Sequence, residues 1–147
     1  MDTSEKNPYY YVAYAHARIC SIAKKAAEKG FLPLGDSPDF DRAFEGLEWT
    51  ADRRRLLFLV ARFPEEIQDA ARSLEPHRLV NYLYQLASGL SRFYAPRENR
   101  IIEQDERTAR ALLTLLDGVR ICLANGLSIL GMQAPDRMTR EETDQPA

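Results

Sequence analysis

Pro76-His77-Arg78-Leu79-Val80-Asn81-Tyr82-Leu83-Tyr84-Gln85-Leu86-Ala87-Ser88-Gly89-Leu90-Ser91-Arg92-Phe93-Tyr94 decides the fold. Leu79, Leu83, Leu86, Ala87, Leu90 and Phe93 return every three or four positions, which is the period of one helix face. Proline stands at the first turn, where its missing N–H has no intrahelical partner to lose. The segment therefore predicts a core helix running to about Tyr94, and a helix this apolar needs others to cover it.

The neighbouring stretches supply them. Asn7-Pro8 opens and Gly30 closes one long helix, with Val12, Ala15, Ile19, Ile22 and Ala26 on the core face and Tyr14, Arg18 and Lys25 on the adjoining stripe. Residues 31–36 read as a loop, and Ser37-Pro38 starts a short helix in which Phe40, Ala43, Phe44 and Leu47 share a face. Thr50 is the expected N-cap of a helix carrying Leu56, Leu57, Val60 and Phe63. Pro64-Glu65-Glu66 then restarts the chain for an apolar stripe of Ile67, Ala70, Ala71 and Leu74. After the charged stretch 95–99, a last long helix is expected from about Glu103 to Ala124, burying Ala109, Leu112, Leu113, Leu116, Val119 and Leu123. Asn125-Gly126 is read as its end or a kink, with a terminal turn over 127–132. No segment alternates as a strand would. The expectation is an all-α single bundle of about five main helices over residues 9–138, a flexible segment over 1–8 and a disordered polar tail over 139–147.

Composition narrows the function. A chain of 147 residues with 45% apolar and 10% aromatic residues can pack one core, so wholesale disorder is excluded. Twenty basic against 22 acidic residues give a net charge of -2, too little for electrostatics alone to define a partner. Removing the tails at -1 (residues 1–8) and -2 (139–147) leaves a body near +1, in which arginine far outnumbers lysine. Cys20 and Cys122 sit in helical patterns and read as free thiols of a reducing, cytoplasmic compartment. No apolar run reaches bilayer length and no signal peptide opens the chain, so no membrane role is expected.

Catalytic material is scarce. His16 and His77 are the only histidines, and His16 with Cys20 has helical i, i+4 spacing without the further ligands of a zinc site, so no metal and no catalytic residue is assigned. The glycines form no phosphate loop. Aromatic residues are plentiful instead: Tyr9, Tyr10, Tyr11 and Tyr14 crowd the first helix, and Tyr82, Tyr84, Phe93 and Tyr94 the fourth long one. Four tyrosines in six positions cannot all face one core. Those left beside Arg18 could stack on unpaired bases while arginine holds backbone or base edges. The run Arg53-Arg54-Arg55 reads as a solvated face.

Five segments, Asn7 to Ser21, Leu74 to Ala87, Arg92 to Tyr94, Leu123 to Leu127 and Ala134 to Met138, resemble in order and spacing the C-terminal anticodon-binding (DALR) domain of arginyl-tRNA synthetase. The resemblance implies an all-helical module behind a class I catalytic domain, with tRNA(Arg) and that domain as partners and monomeric behaviour. ATP, with magnesium, would serve the parent ligase, and no cofactor is expected in this chain. The His-Ile-Gly-His-like and Lys-Met-Ser-Lys-Ser-like signatures are absent, so this chain is not expected to catalyse. It reads as the C-terminal piece of a longer ligase, with a freestanding paralogue or a helical protein-interaction module as alternatives. Carried over by position, anticodon-loop contacts fall on Tyr14, Arg18, Tyr94 and Met138, which in the family read a central cytosine. Ala13 and Ala95 depart from the glutamine and asparagine frequent in the family, as does the stretch 96–99.

Overall fold

A computed structural model describes residues 7–136 and Met138. All of the tail expected over 139–147, and residues 1–6 of the segment expected over 1–8, lie outside the described residues. Among those described there are six α-helices and no strand: α1 (Pro8–Glu28), α2 (Phe40–Glu45), α3 (Ala51–Ala61), α4 (Phe63–Ser73), α5 (Pro76–Tyr94) and α6 (Glu106–Ile129), with 3-10 turns at Arg97–Asn99 and Ile101–Glu103. Five of these are long and α2 is a single short piece, which is the all-α bundle the periodicity predicts.

Local signals set most boundaries. Asn7 caps α1 by accepting the Tyr9 amide at 3.1 Å, so Asn7 and Pro8 belong to the helix rather than to the leading segment. Thr50 accepts the Arg53 amide to start α3, and Asp105 accepts the Thr108 amide to start α6. The expected core face of α5 is buried throughout, and α5 packs against α1, α3, α4 and α6. The Tyr82 hydroxyl donates to the Leu59 carbonyl and ties α5 to α3.

Three expectations need correction. Asn125-Gly126 does not end the last helix, and the terminal turn expected from residue 127 is the continuation of α6 to Ile129. Gly126 is there for close packing, because a Cβ on it would meet Leu83 Cδ2 of α5 at 2.5 Å. The stop falls at Gly131 (φ 75°), where the Gly131 amide reaches Ser128 O and the Met132 amide reaches Leu127 O. On α4, Ile67 and Ala70 are half-buried, but Ala71 is exposed. Leu74 caps that helix in the left-handed region (φ 56°), which leaves its side chain 86% exposed.

The third correction concerns apolar length. One 18-residue window of α6 has a mean hydropathy of 1.5, so this helix is long and apolar enough to cross a bilayer. Its apolar residues are spent inward: Ala109, Leu112, Leu116, Val119 and Leu123 are at most 1% exposed against α1, α3 and α5.

Candidate nucleic-acid interface

The crowding of α1 by tyrosines is resolved unequally. Tyr10 is buried, meeting Tyr9 edge-on at 5.3 Å, and Tyr11 packs at a tilt against Tyr84 of α5 at 4.8 Å. Tyr14 is left 52% exposed with no ring partner among the described residues. One helical turn on, the Arg18 guanidinium lies 5.3 Å from the centroid of the Tyr94 ring, at the end of α5. At a solvent-facing site such a contact is worth about 0.5 to 1 kcal/mol, enough to bias the arginine toward an extended pose over the ring.

These two residues border a cleft of about 430 Å³ between α1 and the turns before α6, which Lys25, Arg100, Ile102 and Glu103 complete. Three cations face one carboxylate there. Glu103 is already engaged by Arg97 at 2.8 Å, a hydrogen bond that holds its carboxyl below the usual range and keeps it charged. The cleft therefore presents positive charge, a ring and an apolar side chain together, which suits a nucleotide. Arg100 and Glu103 were not singled out from sequence; they reach the cleft only through the fold of residues 97–103.

The ring of Tyr94 sits on a braced backbone. Asn99 is fully buried, donating from Nδ2 to the Phe93 carbonyl at 2.6 Å and accepting Arg53 Nε at 2.7 Å. Arg53 also donates to the Glu48 and Glu98 carbonyls, each at 2.8 Å. So the solvated face expected of Arg53-Arg54-Arg55 holds for Arg54 and Arg55 but fails for Arg53, which is 5% exposed. Its partners are carbonyls and an amide, groups that carry no charge to betray the site in a sequence.

Met138 is half-buried and follows a segment pinned to α1. His16, 3% exposed, bonds through Nδ1 to the Pro135 carbonyl at 2.7 Å. A carbonyl can only accept, so that nitrogen carries the proton. Cys20 Sγ lies 3.9 Å from the same nitrogen, and ligand atoms of His16, Cys20 and Asp136 fall within 4.8 Å of one another. Burial, then the Asp136 carboxylate, pushes the Cys20 thiol up. The His16–Pro135 bond tethers α1 to the segment that leads to Met138. Of the four expected contact residues, the structure brings Arg18 and Tyr94 together, sets Tyr14 on the same helix one turn away, and holds Met138 three residues beyond the tether.

The sequence pattern of the DALR anticodon binding domain matches residues 12–138. The chain is 41% identical over 140 residues to the arginine–tRNA ligase of Leptospira interrogans, covering 95% of this chain and 22% of that protein. It is 44% identical over 133 residues to the Geotalea daltonii arginine–tRNA ligase, covering 90% of this chain and again 22% of the relative. Among solved structures, Thermus thermophilus arginyl-tRNA synthetase superposes with a TM-score of 0.69 at 32% identity, over 87% of this chain and 21% of that one. The chain thus spans under a quarter of the length of these curated relatives.

Proposed function

This chain belongs to the DALR anticodon binding domain family, and from that membership we propose that it receives the anticodon loop of an arginine tRNA on behalf of a class I arginine–tRNA ligase. The observation that carries the reading is the Arg18 guanidinium poised over Tyr94 beside an unstacked, half-exposed Tyr14. An unpaired base gains about 1 to 3 kcal/mol by stacking on such a ring, and arginine adds a fork of donors for a phosphate or base edge. Met138 supplies a polarizable thioether that packs a flipped base.

The domain binds and does not catalyse; ATP, with magnesium, serves the catalytic domain of the parent ligase, in the cytoplasm. Titration of anticodon stem-loops that differ only at the central position tests base reading. Cytosine should bind tightest, and equal affinity for cytosine and guanine overturns the proposal. A paired Tyr14→Ala, Arg18→Ala variant should lose the cytosine preference while staying monomeric. Incubating the chain with arginine, ATP and tRNA should give no aminoacylated product.

A further inference from the structure

The near-neutral total charge conceals a segregation by helix. In α1, Arg18, Lys24 and Lys25 outweigh Glu28; in α3, three arginines outweigh Asp52; in α5, Arg78 and Arg92 meet no carboxylate, so each of these helices carries a net +2. By contrast α4, with Glu65, Glu66 and Asp69 against Arg72, carries -2. Helix α5 packs against both α1 and α3, so the three positive helices lie side by side.

On the α3 side of α5 two adjoining clefts, of about 440 and 340 Å³, share Arg55 and Leu59. Their floor is apolar, with Leu59 and Gly89 in such close approach that a Cβ on the glycine would meet Leu59 Cδ1 at 2.8 Å. Their rims carry Arg54, Arg55, Arg62 and Arg92, and no carboxylate among the described residues lines either cleft. Arg62 is paired with Glu66, whereas Arg55 and Arg92 are exposed and make no ion pair among the described residues. Two exposed rings line the groove: Phe58, 63% exposed, and Tyr84, 40% exposed. Tyr84 is also the ring against which Tyr11 packs, and Tyr11 precedes Tyr14 by one turn of α1. The groove is thus continuous, through that ring pair, with the surface around Tyr14 and Arg18.

We infer that the α3–α5 groove is a second RNA contact, which holds the phosphodiester backbone of the strand leading away from the loop. Arg55 and Arg92 bind its phosphates, and Phe58 and Tyr84 pack against its sugars or bases. An acidic protein segment would also find arginines here, but the exposed rings beside them, which begin one turn of α1 from Tyr14, favour the nucleic acid. The inference rests on the loop-binding reading above and adds a footprint to it.

The test measures how affinity for a cytosine-centred anticodon stem-loop falls with salt. Each phosphate contact contributes about 0.7 to 0.9 to the slope of log affinity against log salt. The Arg55→Gln, Arg92→Gln double variant should lower that slope by about 1 to 2 and weaken binding at low salt by about tenfold or more. It should leave the preference for cytosine over guanine intact. Charge-preserving Arg55→Lys, Arg92→Lys should restore most of the slope, which separates charge from packing. An unchanged slope with the base preference intact overturns the groove alone, and is the result a protein-docking groove would give. Absence of base preference in the unmodified chain overturns the loop reading. No RNA binding by the unmodified chain overturns both.

Discussion

At the scale of single residues, Arg53 shows how a charged side chain can be structural. Replacing it with alanine strips Asn99 and two backbone carbonyls of their donor inside the fold, and should cost about 2 to 4 kcal/mol, read from the urea midpoint. Arg53→Lys should recover little, because an ammonium cannot span three acceptors set around a planar fork. Because Asn99 in turn holds the Phe93 carbonyl, both variants should also loosen the Tyr94 ring and weaken loop binding more than exposed Arg54→Ala does. None of this was legible in Arg53-Arg54-Arg55. The residues that choose one arginine of the three lie 45 and 46 positions away at Glu98 and Asn99. Tyr14 and Arg18, by contrast, could be read directly, because helical spacing alone assigns them to a stripe beside the core.

At the scale of elements, the helices were legible where one signal had one meaning and obscure where it had two. Glycine in a helix marks either a stop or a place where another helix comes close, and Gly126 is the second kind. Gly126→Ala should therefore destabilise by about 1 to 3 kcal/mol through overpacking on Leu83, and trimming that partner by Leu83→Ala should make the glycine change nearly neutral in a double-mutant cycle. Leu74 was read as part of an apolar stripe, yet the left-handed turn removes it from the core. Leu74→Gly should stabilise by about 0.5 to 1 kcal/mol, seen as a higher melting temperature. The cap of α6 predicts an acid response. The side-chain hydroxyl and amide of Thr108 hold the Asp105 carboxyl below its ordinary range. Its contribution is complete above the ordinary aspartate pKa and is lost as pH falls through the lowered folded value, so Asp105→Asn should flatten the acid limb of a stability-against-pH curve.

At the scale of the whole molecule, one summed charge says less than its distribution. A body near +1 is too weakly charged to define a partner by its total, while the arrangement of α1, α3 and α5 gathers positive charge on adjoining helices. Of the candidate site, Tyr14 and Arg18 were legible as a ring and an arginine on one helical stripe, whereas Tyr94 and Met138 were assigned through the family resemblance. Its cleft was not, since residues 97–103 contribute through two irregular turns that no periodicity describes. The isolated chain should bind a stem-loop at about micromolar affinity or more weakly. Joined to the rest of a ligase that grips the acceptor end, the same contact becomes intramolecular and gains through effective concentration, which equilibrium titration of both forms would register.

The bond from His16 to Pro135 has a practical corollary. It fastens the polypeptide's closing stretch to the one helix turn that separates Tyr14 from Arg18, so a tug on that stretch is delivered between them. If the loop-binding proposal holds, His16→Ala, which unfastens that stretch, would thus act as a dimmer on RNA recognition.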